Sequence, residues 1–181
     1  MASLRTSLVL TVLGNDRPGI VEQLSDHVLA AGANWEESRM ARLAGKFAGL
    51  LRITVDADRS GALAARLTSM QHTGLTVVVE PSAEAQAGVV RTLHLHLVGN
   101  DHQGIIRDIS RMLAQRQINI EELETEVTSA PMSGEPLFRA RARLQIPATI
   151  DVEELVGVLE SLAGELMVDL TVEQPVHDGR R

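Results

Sequence analysis

The chain has no cysteine and few aromatic residues: one tryptophan, two phenylalanines and no tyrosine among 181 residues. The lack of thiols excludes disulfide staples, thiolate nucleophiles and cysteine-based metal centres, and it fits a reducing compartment. The cores must therefore hold by packing alone, for which a hydrophobic content of 44% is ample. Lysine is almost missing too, Lys46 standing beside sixteen arginines. There is no basic excess to neutralise phosphates, since 24 acidic and 17 basic residues leave a net charge of −7. That balance argues against direct nucleic-acid binding. Long apolar runs are absent as well. Met1 to Leu13 is too short, and too soon interrupted by Gly14-Asn15-Asp16, to be a signal peptide or membrane span. No membrane association and a cytoplasmic location are the expectation.

What is there is a repeat. Gly14-Asn15-Asp16-Arg17-Pro18-Gly19-Ile20 recurs as Gly99-Asn100-Asp101-His102-Gln103-Gly104-Ile105, identical at five of seven positions with an offset of 85 residues. The register continues on both sides. Leu8, Leu10 and Val12 map onto Leu93, Leu95 and Leu97, and Asn34, Glu36 and Glu37 onto Asn119, Glu121 and Glu122. Two copies of one supersecondary unit are the economical reading. The second copy carries six extra residues, Pro131 to Pro136, as a hairpin loop can without disturbing its strands.

Within each copy the pattern runs alternation, helical period, two alternating stretches, helical period, alternation. In the first copy Leu8, Leu10 and Val12 alternate as a strand, and Ile20, Leu24 and Val28 form a helix stripe that ends at Gly32. A strand from Asn34 to Leu43 turns through Ala44-Gly45-Lys46 into a partner bearing Phe47, Gly49, Leu51, Ile53 and Val55 on one face. Leu63, Leu67 and Met70 mark a second helix, and Leu75, Val77 and Val79 a last strand. The second copy repeats this, with Asp151 and Glu154 at capping-box spacing before its second helix and Leu166, Val168, Leu170 and Val172 on its last strand. The fold class expected is α+β: two ferredoxin-like βαββαβ domains, residues 5–81 and 89–174, each a four-stranded antiparallel sheet with two helices on one face. The linker Pro81 to Gly88 and the tail from Gln174 should lie outside the cores, and the sheet edges are expected to be covered, by the two copies packing on each other or on those of a second chain, with a homo-oligomer the expectation.

Each Gly-Asn-Asp loop joins the first strand of its copy to the first helix. Asp16 and Asp101 can cap the turn, and Gly19 and Gly104 let the backbone bend without a Cβ. The N–H groups at the helix start can hold a carboxylate, or the loops can be turns and no more. Asn34 and Asn119 are expected at the end of the sheet that bears the loops, where an amide could recognise a zwitterion. There is no Gly-x-Gly-x-x-Gly and no Gly-Lys-Ser/Thr, which disfavours a nucleotide cofactor.

The runs Gly14 to Val21, Gly32-Ala33-Asn34-Trp35-Glu36-Glu37-Ser38-Arg39-Met40 and Leu43-Ala44-Gly45-Lys46-Phe47 resemble the ACT-domain proteins, and among them the tandem-ACT glycine cleavage system transcriptional repressors. The resemblance spans nearly the whole chain and is more specific in the first copy. It implies that a small amino acid, glycine in that group, is bound at domain interfaces. The residues implied are Asn15, Asp16, Arg17, Pro18, Gly19 and Ile20 with Asn34, and Asn100, Asp101, His102, Gly104 and Ile105 with Asn119. It also implies repression through a partner DNA-binding transcription activator. The second copy departs from the signature at His102-Gln103, where the first has Arg17-Pro18.

Chemistry finds no foothold beside this. His94 and His96 share one strand face without a third metal ligand at a recognisable spacing. No Gly-x-Ser-x-Gly occurs, and Glu36/Glu37 and Glu121/Glu122 are neighbours expected on opposite strand faces. No catalytic residue, metal or cofactor is expected. Arg139, Arg141 and Arg143 form a basic stripe, but Glu122, Glu124 and Glu126 alternate on the neighbouring strand and can neutralise it. In the first copy Ala48, Leu50 and Arg52 occupy the stripe's positions, so one free sheet face should be more apolar and better suited to packing against another protein.

Overall fold

The computed structural model describes residues 4–82, 90–130 and 134–173. The chain divides into two compact units, Met1–Ala85 and Gln86–Arg181. Of the expected linker only Pro81 and Ser82 are described, and the tail from Gln174 and the insertion residues 131–133 lie outside the described residues.

The first unit runs β1 (Arg5–Asn15), α1 (Ile20–Ala30), β2 (Asn34–Leu43), β3 (Lys46–Asp56), α2 (Ala57–Thr68), a 3-10 turn (Ser69–Thr73) and β4 (Leu75–Pro81). The second runs β5 (Val90–Asn100), α3 (Ile105–Gln115), β6 (Asn119–Ser129), β7 (Pro136–Pro147), α4 (Val152–Glu165) and β8 (Val168–Glu173). Both are antiparallel sheets, in the orders β2-β3-β1-β4 and β6-β7-β5-β8. The apolar alternation read from the sequence fixes which side is buried. Leu8, Leu10 and Val12 of β1 with Leu51, Ile53 and Val55 of β3 meet Ile20, Leu24 and Val28 of α1 and Leu63 and Leu67 of α2. The second core repeats the arrangement with Leu93, Leu95, Leu97, Leu144 and Ile146 beneath Ile105, Ile109, Leu113, Leu155 and Leu159. Both helices of each unit thus cover one sheet face, as expected.

Two local differences have physical causes. Met70 is fully buried but sits in the 3-10 turn after α2, because the chain tightens before left-handed Gly74. Leu166 terminates α4 rather than opening β8, and Met167 follows it with φ +53°. Asp151 does cap α4, accepting from the backbone N–H groups of Glu153 at 2.9 Å and Glu154 at 3.5 Å.

The uncovered faces are where the copies part. Reading across β2, β3, β1 and β4, the free face of the first sheet has the rows Glu37–Arg52–Val9–Glu80, Arg39–Leu50–Thr11–Val78 and Ala41–Ala48–Leu13–Thr76. The matching rows of the second are Glu122–Arg143–His94–Glu173, Glu124–Arg141–His96–Thr171 and Glu126–Arg139–Val98–Asp169. The glutamate and arginine rows do oppose each other pair by pair, and the first face is the more apolar, as the alternation predicts.

Candidate ligand site

In the first unit the Gly-Asn-Asp loop is tied to the tip of the β2–β3 hairpin. The Asp16 N–H donates to the Gly45 carbonyl at 2.9 Å, and Lys46 Nζ donates to Asn15 Oδ1 at 2.6 Å. Arg42 Nε lies 2.7 Å from Asp16 Oδ2, and Arg17 donates to Gln23 Oε1 at 2.8 Å. Asp16 therefore does not cap α1. The residue before the helix is Gly19, at φ +87° and without a side-chain cap, so the first helical N–H groups depend on other partners. Gly104 stands before α3 in the same left-handed state, at φ +103°, and Asp101 is likewise no cap. Ile20 and Ile105 are core residues at 2% exposure, which leaves only their backbone able to meet a ligand.

Gly14 and Gly99 have a separate task, which the motif does not advertise. A Cβ on Gly14 would lie 2.7 Å from Leu75 Cδ2 and 2.8 Å from the Gly74 carbonyl oxygen. On Gly99 it would lie 2.6 Å from Val168 Cγ1 and 2.8 Å from Val168 Cα. These glycines admit the last strand of each unit beside the first.

Asn34 corrects an expectation. It pairs with Thr54 near one end of β3, whereas Asn15 pairs with Lys46 at the other. Eight residues of strand separate those rows, roughly 26 Å at about 3.3 Å per residue. Asn119, opposite Gln145, is likewise far from Asn100, opposite Leu137. The first helix carries the chain the length of the sheet before the second strand begins, so loop and asparagine lie at opposite ends of one unit.

The Asn34 amide donates to Glu36 Oε1 at 2.7 Å, and Thr54 Oγ1 donates to the same oxygen at 2.8 Å. Those two bonds, Asn34 first, hold the Glu36 carboxyl below the usual range; desolvation opposes them, and Arg52 and then Arg5 add lesser support. A β-bulge lies here, between Trp35 and Glu37, and recurs between Ile120 and Glu122. Its extra residue overturns the expectation that the adjacent glutamates face opposite ways. Glu121 Oε2 and Glu122 Oε1 both reach Arg143, at 3.1 Å from Nε and 2.8 Å from Nη2. Glu121 also accepts from the Gln145 side chain.

The second loop is built differently. Asp101 N–H donates to the Pro136 carbonyl at 3.0 Å, but Leu137 and Val127 occupy the places of Lys46 and Arg42. His102 faces two carbonyls, Leu166 at 2.8 Å from Nε2 and Gln103 at 3.2 Å from Nδ1. Carbonyl oxygens only accept, so the doubly protonated ring suits both. These contacts raise the His102 pKa, Leu166 contributing most, with Asp101 and Asp108 adding to it and desolvation opposing.

Sequence reasoning missed Arg42 and Lys46. The lone lysine was a visible signal, but its position beside Asn15 follows only once the hairpin register is known. Among the described residues no cluster of three or more metal-ligating side chains occurs, and no helix is long and apolar enough to cross a membrane.

The ACT domain family model matches residues 6–80, which include the first loop and Asn34. Over 161 residues the chain is 24% identical to the glycine cleavage system transcriptional repressor of Escherichia coli (strain K12), covering 88% of this chain and 85% of that protein. A solved structure of an unknown protein from Galdieria sulphuraria is 32% identical, with a TM-score of 0.82, covering 96% of this chain and all of that one. A structure provisionally assigned as a glycine cleavage system transcriptional repressor, 22% identical with a TM-score of 0.69 over 95% of this chain and 99% of that one, adds the fold alone. The first unit thus matches the ACT domain model, and the second repeats its strand order. The chain as a whole resembles the glycine cleavage system transcriptional repressors.

Proposed function

We propose that this chain is a non-enzymatic, amino-acid-responsive regulator that represses a glycine cleavage system indirectly, through a partner DNA-binding activator. The observation that carries the reading is the first loop. A left-handed Gly19 opens α1 with uncapped N–H groups, Arg42 and Lys46 pair with Asp16 and Asn15 of the same loop, and Arg17 pairs with Gln23. Such a set suits the carboxylate of a free amino acid, while Asn34 and the Glu36 carboxylate it holds suit an ammonium group. The two halves lie at opposite ends of the unit. A second copy whose β2 edge pairs antiparallel with the first would bring its Asn34 beside the loop, so the ligand is read as a clamp between copies. Glycine is the ligand suggested by the name of the related repressor.

A scaffold reading without a ligand has one observation in its favour. Asn15, Asp16 and Arg17 already have partners within the unit. A thermal-shift panel of the amino acids separates the two, because a ligand that binds only the folded state raises its apparent stability. An increase with a small amino acid, together with altered affinity for the activator, supports the regulator. No increase with any of them leaves the scaffold. Duplex DNA alone is expected not to bind near 150 mM salt, and submicromolar binding there would overturn indirect action.

A further inference from the structure

We infer that the free face of the first sheet is a docking surface for the same face of a second copy of this chain. The face is apolar where solvent-exposed sheets are normally polar. Leu13 is 51% exposed, Leu50 52% and Val78 49%, and the gaps between them are filled by Thr11, Ala41 and Ala48. Large side chains thus stand beside small ones, the relief that lets two such faces interdigitate at the ordinary spacing of about 10 Å between stacked sheets.

Charge selects the occupant. The first unit carries 8 basic and 9 acidic residues, a net −1, while the second carries 9 and 15, a net −6. Pairing first unit with first unit brings together surfaces of near-zero net charge, and Glu37, Glu80, Arg39 and Arg52 supply both signs around the border of the face. The equivalent face of the second unit has Arg141 and Arg139 where the first has Leu50 and Ala48, and desolvating those charges opposes burial.

Area agrees. Four strands about 4.8 Å apart and four same-face rows about 6.8 Å apart, the three given above and Asn34–Thr54–Ser7, cover roughly 500 Å² per copy. The total of about 1,000 Å² is the least that a specific interface needs, so the dimer is expected to be weak, with a Kd on the order of micromolar. It does not require an amino acid, unlike the β2-edge clamp proposed above, and is measured without one.

The experiment is sedimentation velocity on the full chain over a concentration series reaching ~100 µM. A concentration-dependent dimer is expected. Leu50→Arg, which installs the residue the second repeat has at the same register, should weaken it at least ~10-fold, since each buried unpaired charge costs more than 1.4 kcal/mol. Arg141→Leu should not weaken it. Because the chain has no cysteine, Thr11→Cys and Leu50→Cys each give a single reporter thiol, expected to cross-link copies far faster than Arg141→Cys. A chain that stays monomeric, a dimer indifferent to Leu50→Arg in protein with an unchanged thermal melt, or cross-linking as fast through position 141 overturns the proposal.

Discussion

The two units keep the same core and present different surfaces. Leu10, Ile53 and Leu63 have counterparts in Leu95, Leu144 and Leu155, all at 1% exposure or less. On the other side of the same strands, however, the first unit has Leu50 and Thr11 at the register positions where the second has Arg141 and His96. A buried aliphatic position tolerates little change in volume or polarity, because cavities and unpaired polar groups each cost kilocalories. A free sheet face tolerates almost anything soluble. The repeat is therefore conservative where packing decides and divergent where partners decide, and the loops fall between. Their glycines recur, while Arg17, Arg42 and Lys46 of the first have become His102, Val127 and Leu137 in the second.

The largest effect that would sharpen this comparison lies at the glycines both copies retain. Gly99→Ala drives a Cβ against two backbone atoms, Val168 Cα and the Met167 carbonyl oxygen, whereas at Gly14 one backbone atom, the Gly74 carbonyl oxygen, stands as close, beside the movable end of Leu75. Overpacking of this kind costs about 1–3 kcal/mol, and Gly99→Ala should stand at the upper end. Urea denaturation of both variants measures it. Equal and negligible losses would mean that the shared glycines are relics of duplication and not steric requirements.

Next comes recognition. Asn34→Ala is expected to lower amino-acid affinity roughly 5- to 150-fold, the worth of one or two buried hydrogen bonds at about 1–3 kcal/mol. Asn119→Ala should cost less, because its loop lacks the cations that Arg42 and Lys46 bring to the first. Calorimetric titration decides between them, with circular dichroism to verify folding. An equal or larger loss at Asn119 would break the asymmetry.

How far the sequence could carry this comparison depends on the type of information. The 85-residue offset and the alternation specify the strands, the helices and the charged face, since period 2 assigns every side chain to a side. One inserted residue defeats that rule, which is why the bulge at Glu36 and Glu121 was invisible and the paired glutamates were assigned to opposite faces. Asn34 was misplaced for a related reason. Nearness in the motif is not nearness in space, because an 11-residue helix lies between. Lys46 and Arg42 join the loop only through hairpin register, a non-local fact.

A smaller effect separates the units by pH. Protonated His102 is favoured by the Leu166 and Gln103 carbonyls, so its folded pKa lies above the ordinary 6.5. Its stabilisation is complete below that unfolded value and is lost as pH rises through the folded one. Glu36 works in the opposite sense. Held below 4.5 by Asn34 and Thr54, it stabilises the first unit above that pH and ceases to as pH falls through its folded pKa. Urea titrations of wild type and His102→Gln should therefore converge on the alkaline side and diverge on the acid side of that window. A constant difference across it would show that the latch to Leu166 does not titrate.

The smallest expected effect is a gain. The β2–β3 hairpin closes through two residues, Ala44 at φ +48° and Gly45 at φ +78°, the signs that a type I′ turn demands. Glycine meets the demand freely, but alanine does not, because its Cβ crowds the carbonyl in the left-handed region. Asparagine tolerates that region and is favoured at this turn position, so Ala44→Asn should stabilise the first unit by about 0.5–1 kcal/mol. Ala44→Gly relieves the same strain but loosens the unfolded chain, and its gain should be smaller. In the second hairpin the left-handed position among the described residues, at φ +72°, is already held by a glycine, Gly134. The tip of the first is also the anchor of its loop, through the Gly45 carbonyl on Asp16 and Lys46 on Asn15. If that anchorage preorganises the site, Ala44→Asn raises amino-acid affinity as well as melting temperature, because less freedom remains to be lost on binding. Thermal melts and calorimetric titrations on the same preparation test both halves. A higher melting temperature with unchanged affinity would confine the hairpin to a structural role and leave Arg17 and the Gly19 helix start as the ligand's hold on the first unit.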